Sequence, residues 1–68
     1  MNFLEGRIHS LNAEVEALKI EVEAMNAANL ERERQGKAPA YGEEAYQKKA
    51  DEFRGVAFQI RELADRLG

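Results

Sequence analysis

The side chains best suited to chemistry in this sequence are one histidine beside a serine and a series of glutamates. His9 precedes Ser10, but no acid is spaced to orient the imidazole as a general base requires. A di-iron site in a helical bundle needs Glu-x-x-His pairs that face inward. The carboxylates after His9 do not form such pairs; they are Glu14, Glu16, Glu21 and Glu23. The pattern is typical of a solvated helix surface and predicts no catalytic residue, cofactor or metal.

A second group of functional side chains surrounds the only proline, in the stretch RQGKAPAYGEE. Arg and Tyr are enriched among the residues that dominate protein–protein binding energy. The sequence therefore predicts a partner-binding edge made of Arg32, Arg34, Lys37, Tyr41, Tyr46 and, further along the chain, Phe58. Two alternatives stay open: Tyr46 begins a buried stripe, and Tyr41 packs on Leu30 to close the end of the molecule.

Composition indicates one small all-α domain spanning residues 1–68. The chain is rich in Ala, Glu, Leu, Lys and Arg, with one Pro and no Cys, which favours helix over strand. A domain of this size buries only about 60% of the surface that its unfolded chain exposes. Because no disulfide can compensate, oligomerisation is the expected further source of stability.

Apolar residues in the first half recur at alternating spacings of four and three, the pattern of a coiled-coil seam. The seam consists of Leu4, Ile8, Leu11, Val15, Leu18, Val22 and Met25. It turns polar at Asn29 and Arg32. Asn2 followed by Glu5 predicts a capped helix start, and Gly36 followed by Pro39 predicts the helix end. We therefore predict a first helix over residues 2–35 and a loop over 36–42.

The second half repeats every seven residues, with large side chains at Tyr46, Phe53, Ile60 and Leu67 and small ones at Ala50, Ala57 and Ala64. This pattern predicts a helix over residues 42–67, widened on its apolar face by Val56 and Leu63. We expect two helix axes to approach closely along the alanines. A short loop between two apolar-faced helices favours an antiparallel, coiled-coil-like hairpin.

Unequal helix lengths and a second stripe on the first helix predict a four-helix homodimer. The first helix is longer by roughly 12 Å at about 1.5 Å per residue. If both helices meet the loop together, the first few apolar residues project past the second helix. A helix with two apolar faces is usually covered on both. The predicted dimer interface is therefore Phe3, Leu4, Ile8, Ala13, Ala17 and Ile20. Alternatively, the small residues serve only helix formation.

Charge and hydropathy argue against nucleic acid and membranes as partners. The net charge of −3 is concentrated on the first helix, which makes a poor nucleic-acid surface. The basic residues of the second helix are Lys48, Lys49, Arg54 and Arg61. Acidic residues lie between them, and we expect the two kinds to pair at i, i+4 spacing. The chain start shows neither a signal-peptide apolar stretch nor a membrane span, so a cytoplasmic location is expected.

A small acidic helical hairpin with an Arg- and Tyr-bearing loop end and a dimer stripe resembles the early proteins with which temperate phages disable host factors. The nearest group is the phage anti-quorum-sensing protein family. The resemblance covers the whole chain as architecture and assigns no residue. It implies a non-enzymatic inhibitor that binds a host bacterial protein, such as a quorum-sensing transcription regulator or a pilus-assembly ATPase. The alternatives are a coiled-coil dimerisation or assembly module and, less favoured, an RNA-binding hairpin dimer.

Overall fold

Alternating apolar spacing in both halves of the chain produces two helices that pack against each other in antiparallel order. The computed structural model describes residues 3–67. Helix α1 spans Phe3–Arg34 and helix α2 spans Glu43–Leu67. The all-helical hairpin predicted from sequence is confirmed, and the helix bounds agree within about one residue. The predicted cap at Asn2 lies outside the described residues.

The end of α1 is fixed by a glycine in the left-handed conformation. Gly36 has φ of 70°, a conformation that L side chains rarely adopt. Its N–H donates to the carbonyl of Glu33 at 3.0 Å, and the N–H of Lys37 donates to the carbonyl of Arg32 at 2.9 Å. This pair of bonds is a Schellman motif, which satisfies carbonyls at the helix end. Gly36 therefore ends the helix where the sequence predicts.

The core of the hairpin is small and continuous along the predicted seam of α1. Among the described residues the buried apolar side chains are Leu11, Met25 and Val56. The remaining seam residues of α1 are half-buried. With dimensions of 52 × 20 × 12 Å and a radius of gyration of 16.0 Å, the chain is longer than a compact domain of this length, which has a radius near 11 Å. One row of side chains along the hairpin axis thus makes up most of the core.

The apolar overhang expected at the amino end of α1 is largely absent. Leu4 and Ile8 are half-buried, and Arg7 Nη2 donates to Gln59 Oε1 of α2 at 3.2 Å. Only Phe3, at 81% exposure, stands clear of the partner helix. The expectation assumed that both helices meet the loop together, and that assumption is wrong. The carboxyl end of α1 runs past the start of α2, and the loop folds back along it, which moves α2 toward the amino end of α1.

The alanine repeat of α2 lies only partly between the two helices of the hairpin, because Ala50 is half-buried but the later alanines are not covered. Ala57 and Ala64 are exposed, whereas Val56 is buried and Leu63 is half-buried. The seven-residue repeat predicted an apolar stripe on α2, of which Phe53 and Ile60 are half-buried, but the exposure of Ala57 and Ala64 was not expected. Helix α1 instead packs on the side of α2 that carries Val56 and Leu63.

An ion-pair cluster joins the two helices midway along the hairpin. Lys49 Nζ of α2 lies 2.6 Å from Glu21 Oε2 of α1 and 3.3 Å from Glu52 Oε2. Glu52 lies four positions after Lys48, where the i, i+4 rule predicts a pair, but it pairs with Lys49 at i, i+3 spacing instead. The pKa of the Lys49 ammonium is raised above its ordinary value of 10.5, mainly by the hydrogen bond that it donates to Glu21. Desolvation acts in the opposite direction and lowers this pKa.

Replacing Lys49 with Met is expected to lower stability below pH 10.5 and to lose this effect in alkali. A raised pKa in the folded state means that the charged form is favoured by folding. That contribution is present below the ordinary pKa of 10.5 and disappears as the pH rises through the folded-state pKa. The measurement is urea unfolding across pH 8 to 12, a range chosen to bracket that titration, with Lys48→Met as the exposed control. A gap between wild type and Lys49→Met that stays constant across this range would contradict the assignment.

Candidate protein-binding surfaces

A single asparagine holds the loop against α1 through main-chain contacts. Asn29 Nδ2 donates to the carbonyl of Tyr41 at 2.9 Å, and the N–H of Tyr41 donates to Asn29 Oδ1 at 2.9 Å. The side-chain amide therefore binds both polar groups of one loop residue. Arg32 Nε adds a bond of 3.0 Å to the carbonyl of Ala38. These contacts give the loop a defined path along the last turns of α1.

Tyr46 belongs to the same polar network and not to the free surface. Asn29 Nδ2 also donates to Tyr46 Oη at 3.1 Å, and Tyr46 Oη donates to Asn26 Oδ1 at 2.7 Å. The Tyr46 side chain is half-buried. Of the predicted partner-binding residues, Tyr46 and Arg32 thus make contacts that stabilise the hairpin. For Tyr46 this agrees with the alternative that it begins a buried stripe.

Three of the predicted partner-binding side chains remain on the surface of the loop end: Arg34, Lys37 and Tyr41. Tyr41 is 41% exposed although its main chain is fixed. Arg34 Nη1 lies 3.8 Å from Glu31 Oε2, and both side chains are well exposed, so this pair holds the guanidinium only weakly. Leu30, at 48% exposure, adds an exposed apolar side chain one helical turn before Arg34. We call the surface formed by Leu30, Arg34, Lys37 and Tyr41 the loop-end surface.

A shallow open groove of about 680 Å³ continues the loop-end surface onto the first turns of α2. Its lining includes Tyr41, Gly42, Glu44, Ala45, Lys48 and Asp51. Gly42 marks the start of α2, where its carbonyl accepts hydrogen bonds from Ala45 at 3.1 Å and Tyr46 at 3.3 Å. A partner side chain lying in this groove can contact the Tyr41 ring and the start of α2 together.

Phe58 does not belong to the loop-end surface. It is 60% exposed and lies about 22 Å along α2 from the first residue of that helix, at about 1.5 Å per residue. The predicted dimer residues of α1 are also exposed at Ala13, Ala17 and Ile20. Arg34, Lys37 and Tyr41 thus all lie exposed at the loop end of the hairpin, whereas Phe58 lies on a different part of the molecule.

A second candidate surface follows one side of α2 from end to end. Its members recur at spacings of four and three, and we call the set the alanine face: Tyr46, Ala50, Phe53, Ala57, Ile60, Ala64 and Leu67. The set contains no charged residue, in a chain that is 34% charged. Phe53 and Ile60 are half-buried, and Ala57, Ala64 and Leu67 are exposed. A long uncharged face is therefore left partly uncovered by the hairpin.

Sequence reasoning missed the role of Asn29 and the free edge of the alanine face. A signal for Asn29 was present, because a polar residue that continues an apolar seam must find a hydrogen-bond partner if it is not fully solvated.

Within residues 3–67, no three His, Asp or Glu side chains gather closely enough to hold a metal ion. Neither described helix combines the length and apolar character that a membrane span needs.

The structure defines the class of this protein as a two-helix antiparallel hairpin with a fastened loop. Comparison with protein-family models, curated proteins and solved structures finds no match. The exposed surfaces of the hairpin are therefore the features that indicate its function.

Proposed function

We propose that this protein is a non-enzymatic protein-binding module whose loop-end surface contacts the partner. The observation that carries the proposal is the exposed ring of Tyr41 on a main chain held by Asn29 at two points of 2.9 Å. A loop fixed before binding loses less conformational entropy when a partner docks. An exposed aromatic side chain on such a loop is the type of residue that dominates interface energy.

The finer form of the proposal is a homodimeric, phage-encoded inhibitor that acts in the bacterial cytoplasm. The architectural resemblance to the phage anti-quorum-sensing family supports this form, and it names two target classes: a quorum-sensing transcription regulator and a pilus-assembly ATPase. Inhibition then consists of occlusion, because a small hairpin that covers a functional edge of a larger protein needs no chemistry of its own.

Replacing Tyr41 or Arg34 with Ala is expected to weaken partner binding by about 2 kcal/mol each, near thirtyfold in Kd, while helix content stays intact. The fold should survive because Asn29 binds only the main chain of Tyr41, and the ion pair of Arg34 is long and exposed. The measurement is capture from a bacterial lysate by the wild type, followed by titration of the captured protein with each variant. Circular dichroism checks the folding of every variant first.

The control for this experiment is Phe58→Ala, which removes an exposed aromatic ring far from the loop. Arg32 and Tyr46 are unsuitable for the test because their replacement disturbs the loop or the polar network. Full retention of the partner by Tyr41→Ala and Arg34→Ala, with loss in Phe58→Ala, would overturn the loop-end proposal and move the site to the middle of α2.

The second candidate function is a dimerisation or assembly module in which the loop end is inert. The alanine face is the observation that favours it, since its seven uncharged positions follow one side of α2 and are partly uncovered. Capture experiments that yield only self-association would favour this function. An RNA-binding role has less support, because Lys49 and Arg54 are paired with carboxylates; recovery of nucleic acid in the same capture would favour it.

A further inference from the structure

We propose that a second copy of this chain covers the alanine face, so that the dimer interface lies on α2 and not on the Ala13, Ala17 and Ile20 stripe of α1. The inference rests on the homodimer part of the proposed function and names the surface that forms it. It does not depend on the loop-end surface or on the identity of any target.

The apolar part of α2 is wider than α1 can cover. Val56 faces α1 and is 7% exposed. Ala57 follows one position later, about 100° further round a helix of 3.6 residues per turn, and is exposed. Phe53 and Ile60 lie between these directions and are half-buried. A helix with so wide an apolar face is usually covered by a further neighbour.

The other side of α2 is closed by polar contacts with α1. Gln59, three positions after Val56, lies on the side away from Ala57 and accepts the hydrogen bond from Arg7. Glu52, four positions before Val56, lies on the same side as Gln59 and belongs to the cluster with Lys49 and Glu21. The alanine face itself contains no charged residue, and the polar bonds of Tyr46 lie only at the loop end. The two sides of α2 are therefore different, because the alanine face carries no charged residue and the other side makes charged and polar contacts with α1.

The accessible surface of the chain exceeds that of a typical monomer by the amount that a dimer interface buries. The hairpin exposes 5200 Å², whereas a folded monomer of 7.7 kDa exposes about 4300 Å². The excess is about 900 Å², close to the roughly 800 Å² that each partner buries in a stable interface of standard size. A second copy on the alanine face brings the exposed surface of each chain back into the ordinary range.

The alanine face also suits a copy of itself. In an antiparallel pair centred on Ala57, the alanines of the two helices lie opposite one another, with Ala50 against Ala64 of the partner subunit. Small residues let two helix axes approach closely, and Phe53 and Ile60 then fill the space between them. A twofold interface requires this kind of self-complementary surface. The close approach predicted from the alanine repeat is thereby placed between subunits.

The test compares two matched substitutions of exposed alanines, Ala57→Glu on α2 and Ala13→Glu on α1, by sedimentation at about 100 μM, where a dimer of ordinary affinity is populated. We expect the wild type and Ala13→Glu to be dimers. Ala57→Glu should raise the dimer Kd by about 100-fold or more, because a twofold interface contains the buried charge twice. Helix α2 itself should not weaken, because the new Glu can pair with Arg54 and Arg61 at i, i−3 and i, i+4 spacing.

Each other outcome overturns the inference in a distinguishable way. A monomeric wild type removes the homodimer itself, together with this interface. Dissociation by Ala13→Glu alone keeps the homodimer and assigns it to α1. Dissociation by both variants also overturns the assignment, because the two alanines lie on different faces of the hairpin. If Ala57→Glu loses helix content, Ala64→Glu, nearer the end of α2, takes its place with the same expectations.

Discussion

Replacement of Leu11 with Ala is expected to lower the free energy of unfolding by about 2 to 5 kcal/mol. Leu11 has 0% exposure and is the only fully buried side chain among the described residues. The loss combines the transfer energy of the removed methyl groups with that of the cavity they leave. A domain of this length has a total stability of about 3 to 10 kcal/mol at typical values per residue, so the substitution should remove a large part of it.

The matched control for Leu11→Ala is Leu30→Ala in the same helix. Leu30 is 48% exposed, so its truncation removes less buried surface and should change stability by about 1 kcal/mol or less. The measurement is urea unfolding followed by circular dichroism at one fixed protein concentration, since the midpoint of any self-associating protein depends on its concentration. Equal destabilisation by the two substitutions would mean that the core does not centre on Leu11.

Replacement of Asn29 with Ala is expected to release the loop from α1. The substitution removes both bonds to the main chain of Tyr41 and the bond to Tyr46 Oη. Two of these three bonds are exposed, so water can replace them; at a net value of about 0.5 to 1.5 kcal/mol for each bond, stability should fall by about 1 to 3 kcal/mol. The more specific measurement is hydrogen exchange at the Tyr41 amide, which should become much faster because its acceptor is gone.

The control for Asn29→Ala is Asn12→Ala, which truncates an exposed asparagine of the same helix. This variant should leave both stability and the Tyr41 amide almost unchanged. If exchange at Tyr41 stays slow in Asn29→Ala, the loop conformation is maintained by other contacts, and the role given to Asn29 is incorrect. Reduced partner binding by Asn29→Ala, with all loop-end side chains still present, would further support a fixed loop as the binding element.

Local patterns were sufficient to predict the helices but not how they are placed against each other. The seam through Leu11 and Met25 follows from apolar spacing, and the end of α1 follows from the conformational freedom of Gly36. The register of the hairpin depends on Asn29 and Arg32, whose partners are 12 and 6 positions away in the chain. Spacing within a helix carries no information about such contacts, so the expected overhang at Leu4 and Ile8 was wrong.

The candidate sites show the same limit of sequence reasoning. Residue type correctly marked Arg34, Lys37 and Tyr41 as side chains that end on the surface. Type alone could not separate them from Arg32 and Tyr46, whose polar atoms are used inside the hairpin. Likewise, the seven-residue repeat predicted a stripe through Ala57, but a repeat does not identify the helix that covers it.

The contacts that hold the loop against α1 leave its exposed side chains free to vary. Asn29 recognises the peptide groups of Tyr41, and Arg32 recognises the carbonyl of Ala38. Any residue with a compatible backbone offers the same groups, so the side chains at positions 37, 38 and 41 can vary while the loop keeps its path. The hairpin can thus serve as a constant scaffold, and substitutions at the loop end, by selection or by design, can change its binding specificity.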